Sequence, residues 1–462
     1  MTALILSALL SAPQIVYEWD PKTRKMVPVG RPAPAKVVTP PPEPIPAVEP
    51  RPAPVVQDEE KEFDIPLDIF RDIDEADLSW WPTEDVGFEF SGSTIHELHF
   101  FGDDPPGLTV EDPSLRDYRH HRFHNVAMDE ADSPSYLYRL DAWVEAFFGE
   151  FVSAAAQGRL DRGPISASEH SHWGVRLEQA WVDIGIPEFS GRAGKFSAPI
   201  GSFIPRHEPK DNPFITFPLP YDHMTNNKHN NDTTAMILGR QNVRDVKDWR
   251  SFLWREMYGY GVMLFGSTEE WEYAAAMMTQ SPSSWPWEWE RNAFDFIDPN
   301  FMGRLAFKPD IAWKVGMSGS HGGWQKDVPG FAGGDDPQLL VGMDVSWAEG
   351  DWEVWAEGFY NKWEHPLADD LTAWSYYIES RYQILPGFYV AGRVGQMFFD
   401  NIRDGAGAVR QWDRNHTRYE AALGYFFTRN FWIKFNGQQN HTAGGRFEPD
   451  DWLLSLQLGT TF

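Results

Sequence analysis

Charged side chains recur at alternate positions along several aromatic-rich stretches of this chain, and their spacing limits the chemistry they could do. Arg304 and Lys308 share one parity of their segment, as do Glu353 with Glu357, Glu379 with Arg381, and Arg418 with Glu420. Successive side chains of a strand point to opposite faces, so each set lines a single face. Lys314, Asp344, Arg393, Lys434, Glu145 and Glu272 fall on the matching faces of other segments, where Asn436, Gln438 and Asn440 add polar groups. A wall that carries both signs sets a local field for ions, or its charges cross-link one another. It makes and breaks no covalent bond. The usual bond-making constellations are absent from the sequence. There is no cysteine, hence no thiolate ligand, thiol nucleophile or disulfide. No G-x-S-x-G elbow, G-x-x-x-x-G-K-[ST] loop or G-x-G-x-x-G turn occurs. His120, His121 and His124 cluster in a polar stretch and read as solvated. His96 and His99 are three apart, which puts them on opposite faces of a strand. No enzyme activity, cofactor or metal is expected.

The elements that would position these faces must be strands. Trp271–Met278 shows the pattern plainly: Trp271, Tyr273, Ala275 and Met277 alternate with Glu272, Ala274 and Ala276. The last segment does the same, with Trp452, Leu454, Leu456, Leu458, Thr460 and Phe462 on one parity and Leu453, Ser455, Gln457, Gly459 and Thr461 on the other. The period-2 pattern predicts about 16 strands, at 87–101, 137–149, 151–161, 176–185, 189–198, 257–266, 269–279, 301–308, 311–321, 338–350, 351–363, 374–384, 387–399, 417–428, 430–442 and 451–462. Short turns alternate with long polar loops, at about 102–136, 162–175, 199–256, 280–300, 322–337, 364–373, 400–416 and 443–450. A soluble sandwich has no reason for that rhythm. A transmembrane antiparallel β-barrel needs it, with short periplasmic turns, long outer loops and an even strand number. The fold class expected is therefore all-β.

Composition agrees. Aromatics make up 15% of the chain with 22 Trp, which suits interfacial girdles on a barrel. A mean hydropathy of −0.47 would suit a soluble protein, but alternating strands hide a membrane face in the mean. The net charge of −28 argues against a nucleic-acid partner, since phosphate binding needs a basic surface. Residues 1–14 read as a signal peptide, with the apolar run Ala3–Ala12 as its core. Residues 15–86 read as a Pro-rich and acidic periplasmic arm or linker. Pro40–Pro46 favours extended polyproline II, and Asp58–Asp72 is either a short amphipathic helix or without fixed structure. The barrel would span 87–462. Its third outer loop, 199–256, is the longest, and it is assigned to the constriction by analogy with outer-membrane barrels whose third loop folds into the lumen. That loop carries Arg206, Lys210, Lys228, Arg240, Arg244, Lys247, Arg250 and Arg255 against Glu208, Asp211, Asp222, Asp232, Asp245 and Asp248. Its basic residues gather in the second half, at Arg240, Arg244, Lys247 and Arg250. Lining the constriction they would favour anions weakly; facing solvent they would do nothing.

One stretch resembles a known family. Gln179–Gly201 places Gly194, Lys195, Phe196, Pro199, Ile200 and Gly201 where the phosphate-selective porin O/P family has a hydrophobic-x-Gly-Lys/Gln-Phe-x-x-Pro-hydrophobic-Gly strand. The resemblance implies a 16-stranded, trimeric porin of the bacterial outer membrane, surrounded by its lipids. It does not carry phosphate selectivity over, because the lumen read here is mixed rather than densely basic. The function expected is passive diffusion of small hydrophilic solutes and ions, with weak anion preference. The alternative is a structural anchor, with the arm on the cell wall and the pore incidental or plugged.

Overall fold

The computed structural model describes residues 86–101, 135–162, 173–229, 232–240, 250–254, 256–284, 299–325, 336–404, 406–443 and 451–462, with the backbone of four short strands besides. Two of those, Val16–Asp20 and Lys25–Val29, pair as an antiparallel hairpin. They fall within the expected arm. The expected leader 1–14, the rest of the arm, the histidines 121 and 124, and Arg244 and Lys247 lie outside the described residues.

Sixteen strands form one closed antiparallel barrel. They are β1 Val86–Phe101, β2 Ser135–Phe148, β3 Val152–Arg162, β4 Trp173–Ile186, β5 Phe189–Ser197, β6 Tyr258–Ser267, β7 Trp271–Met278, β8 Asn300–Phe307, β9 Trp313–Gly323, β10 Pro337–Glu349, β11 Trp352–Trp363, β12 Leu371–Leu385, β13 Phe388–Phe399, β14 His416–Thr428, β15 Phe431–Thr442 and β16 Asp451–Thr461. Each pairs with its sequence neighbours, and β16 returns to β1 from Leu453 opposite Phe101 to Thr461 opposite Ser93. Every strand read from the alternation is present, with ends shifted by a few residues. Short links and long segments alternate as expected, so the barrel has a short-turn end and a long-loop end.

Burial is inverted relative to a soluble sandwich. On β10 the outward Leu339, Val341 and Met343 are 38%, 41% and 63% exposed, whereas the inward Gln338 and Asp344 are 0% and 2% exposed. The apolar parity thus faces out all round the ring and the polar parity faces in. Aromatic pairs rim the outside at both ends. Trp271 with Phe307, Trp352 with Tyr382 and Phe427 with Phe431 lie toward the short turns, at centroid distances of 4.8, 4.6 and 5.0 Å. Tyr360 with Trp374, at 4.6 Å, lies toward the long loops.

The chain's last residue seals the ring. Phe462 N–H donates to Gly92 O at 3.0 Å, and Phe462 O accepts from Gly92 N–H at 3.1 Å. The Phe462 ring lies across Gly92, where an added Cβ would stand 2.5 Å from its Cζ and 2.6 Å from the backbone oxygen of Asp141. Only glycine leaves that space. Overpacking of this kind costs about 1–3 kcal/mol. Gly92→Val is therefore expected to lower the thermal unfolding temperature of the folded barrel, followed by heat-dependent gel mobility. An unchanged transition would show that the seam does not limit stability.

Candidate functional site

The main hydrophobic core lies inside the barrel, and the third loop contributes a large share of it. Between β5 and β6 the described loop residues 198–229, 232–240, 250–254 and 256–257 lie in the lumen. The loop's neck is closed by Ala198 N–H donating to Met257 O at 3.0 Å. Within it run a 3-10 turn, Ile204–Arg206, and two short helices, α1 Leu219–Asp222 and α2 Thr234–Gly239. Ile200, Phe203, Leu219, Tyr221, Phe252 and Trp254 are buried, in one cluster with the wall residues Met302, Leu340, Phe359, Tyr377 and Met397. The stretch Gly194–Gly201 launches the loop. Phe196 and Ile200 anchor in that cluster. Gly201, at φ +67°, turns the chain where a Cβ would meet the Tyr221 hydroxyl at 2.5 Å and Glu357 Oε1 at 2.8 Å.

Charged wall residues clamp this loop. Glu357 on β11 accepts from Phe203 N–H at 2.8 Å, Tyr221 O–H at 2.7 Å, Ser202 O–H at 2.8 Å and the Ser202 N–H. Burial and the adjoining Glu357 carboxylate push the Tyr221 hydroxyl well above its ordinary value, so it stays a donor. Glu379 on β12 accepts from Arg206 at 2.6 Å and from Arg393 at 3.0 Å. Arg393 on β13 reaches on to Glu420 of β14 at 2.5 Å and to Thr216 O of the loop at 2.9 Å. Arg418 on β14 holds Asp222 at 2.8 Å and Phe217 O at 3.0 Å. Lys434 on β15 donates to the carbonyls of Pro209 and Asn212. On the opposite wall Arg159 of β3 binds Asp141 and the loop's Glu256, both at 2.6 Å.

The nominated lining residues therefore divide. Glu357, Glu379, Arg393, Arg418, Glu420 and Lys434 are on inward faces but covered by the loop. Arg304, Lys308, Lys314, Glu353 and Arg381 are partly exposed inside the short-turn half. There Lys314, Lys308 and Arg304 converge on Glu272 at 2.8, 3.7 and 3.7 Å, and Arg304 also holds the buried Asp344 at 2.6 Å. Arg381 pairs with Glu353 at 2.6 Å. Glu145 stands inward opposite Glu89.

Of the basic residues in the loop's second half, Arg240 forks Asp232 with two 2.6 Å bonds, and the buried Arg250 donates to Lys228 O at 3.2 Å. Both serve the loop's own fold. Arg159, Asp141, Arg192 and Asp183 were not nominated. Parity would have found Asp141, two strand steps from Glu145.

Among the described residues, no group of three or more His, Asp or Glu is placed to hold a metal. No family model matches the sequence, and no curated protein sequence matches it. Solved structures do match in fold. A Salmonella typhi OmpF complex with daunomycin is 10% identical, over 81% of this chain and 97% of that one, with a TM-score of 0.51. An anion-selective porin from Comamonas acidovorans is 8% identical over 82% and 100%, with a TM-score of 0.49. OprB of Pseudomonas putida is 11% identical over 81% and 94%, with a TM-score of 0.48. The sixteen-stranded closed barrel is thus a fold shared with the Salmonella typhi OmpF structure.

Removing Arg393 alone strands the buried Glu420 carboxylate, while Glu379 keeps Arg206; breaking a buried pair in this way costs about 3–5 kcal/mol. Arg393→Met is expected to expose the described loop residues 198–229 to hydrogen exchange. Adding Glu420→Gln should restore most of the protection; protection unchanged in the single variant would refute the clamp. Acid offers a second test. Burial raises the Asp232 carboxyl, but the Arg240 fork outweighs it and holds the group below its ordinary value. A depressed pKa stabilises the fold above the ordinary carboxylate pKa, about 4, and that stabilisation is lost as pH falls through the folded value. Protection of the loop tip should therefore persist below about pH 4 in the native chain and be weak at neutral pH in Asp232→Asn.

Proposed function

We propose that this chain is a porin of the bacterial outer membrane that passes small hydrophilic solutes and ions down their gradients. One observation carries the reading: a closed barrel, apolar outside and polar inside, has a long loop folded into its lumen and pinned to the wall by charge pairs. An apolar exterior with aromatic rims needs a lipid surround. A polar, partly exposed lumen has no use in a soluble protein. The loop fills the long-loop half of the lumen and reaches Tyr389 and Lys434 on one wall, leaving Arg304, Lys308, Lys314 and Arg381 partly exposed toward the short turns. The lumen sieves solutes by size and local field, with no covalent chemistry.

The short-turn cluster of Arg304, Lys308 and Lys314 outnumbers its carboxylates, Glu272 and Asp344, by one charge. That supports weak anion preference on this wall, set against the inward Glu89 and Glu145 on another. Resemblance at Gly194–Gly201 favours kinship with the phosphate-selective porin O/P family without implying its selectivity. A homotrimer, a leader at 1–14 and a periplasmic arm at 15–86 in contact with the cell wall belong to the same proposal. The anchor alternative draws on how fully the loop occupies the long-loop half.

Purified protein in planar bilayers is expected to give stepwise openings, with a reversal potential in a salt gradient that favours anions slightly. Lys314→Glu should move that potential toward cations. Folded barrel with no conductance would replace the porin with the anchor. Deleting residues 15–80 would then weaken the envelope, whereas in a porin it leaves conductance intact.

A further inference from the structure

One arrangement recurs inside the lumen. A guanidinium lies over an inward aromatic ring while its N–H groups bind a carboxylate. Arg192 of β5 sits 3.8 Å from the Trp181 ring centroid of β4 and forks Asp183 with two 2.7 Å bonds. Arg206 of the loop sits 4.4 Å from the Trp355 ring of β11 and binds Glu379 at 2.6 Å and Tyr377 O–H at 2.9 Å. Arg381 lies 5.6 Å over Tyr389 and binds Glu353 at 2.6 Å. Trp181 and Trp355 are both partly exposed, in the short-turn halves of their strands. The pairs β4/β5 and β11/β12 are seven places apart in a ring of sixteen. The two tryptophan sites therefore stand on nearly opposite walls.

Each arrangement is electrically closed. An arginine matched to its own carboxylate offers a passing ion little net field. Where it is open to water, as at Arg192 and Asp183, it still presents donors and acceptors side by side next to an apolar ring. A solute gains from that surface when it is neutral, has many hydroxyls and carries a flat C–H face. Pure ion passage gains nothing from aromatic faces in the lumen. We propose that the part of the lumen the loop leaves open holds a binding site for neutral ring sugars, formed by Trp181 with Arg192 and Asp183 and, across the pore, by Trp355 with Arg206. The site rests on the porin reading, since solute must reach the lumen.

The test uses the full chain, folded in detergent and in planar bilayers. Glucose and maltose are compared with sorbitol, an open-chain polyol that has the hydroxyls without the flat ring. Calorimetric titration should show binding of maltose and none of sorbitol, and maltose should reduce single-channel current at concentrations where sorbitol does not. Loss of one stacking face should raise the half-blocking concentration about tenfold in Trp355→Ala and in Trp181→Ala. Trp355→Phe should recover part of the loss. Trp374→Ala, on the outer face, should leave sugar block as it was. Equal effects of maltose and sorbitol, or no titration signal from folded protein, would overturn the site whether or not the barrel conducts. Binding that persists in a barrel without conductance would support the site and remove the porin.

Discussion

The ladder between the last strand and the first is the interaction on which the rest of this structure depends. Sixteen strands with an apolar outer face can exist only if no edge is left open, because an unpaired edge in an apolar surround strands its backbone polar groups. Pairing from Leu453 to Thr461 with β1, completed by Phe462 against Gly92, removes that edge. Closure fixes which parity faces inward on every strand at once, since a slip of one residue would turn a whole face over. The lumen and its charges are a consequence of the seam.

Closure also creates a problem that the third loop solves. A ring of this size encloses more space than its own inward side chains fill. The third loop enters that space with Phe203, Leu219, Tyr221 and Trp254, so the hydrophobic core is assembled inside the barrel. Its backbone must then be satisfied far from bulk water. The wall does this with ionised groups: Glu357 takes loop amides and hydroxyls, while Arg393, Arg418 and Lys434 take loop carbonyls. Charge-assisted bonds are about twice as strong as neutral ones, and buried ions are tolerated only when matched. The alternation Arg206, Glu379, Arg393, Glu420 meets that condition by passing compensation from one strand to the next.

Filling one half of the lumen divides its charges by role. Where the loop reaches, a wall charge is a clamp. Where it does not, the same kind of residue faces water, as Arg381 and Lys314 do. Contact with the loop, rather than residue type, separates the two: Lys434 lies as near a short turn as Arg381 and is nevertheless buried against the loop.

The sequence by itself determined the class of fold. Period-2 alternation in segments such as Trp271–Met278 and turn residues at regular intervals are local signals, so they could be read one strand at a time. Parity alone also put Glu357, Glu379, Arg393 and Glu420 on the inward side. What those groups do was decided by tertiary structure. Glu357 meets Ser202 and Phe203 more than 150 positions earlier in the chain, a contact with no trace in local spacing. Arg240 and Arg250 show the converse. Charge counting saw basic residues in the third loop, but not that Asp232 and Lys228 O would take them up. Strand faces follow from steric alternation along a few residues. Partners across a lumen follow from ring closure and loop entry, which depend on the whole chain at once.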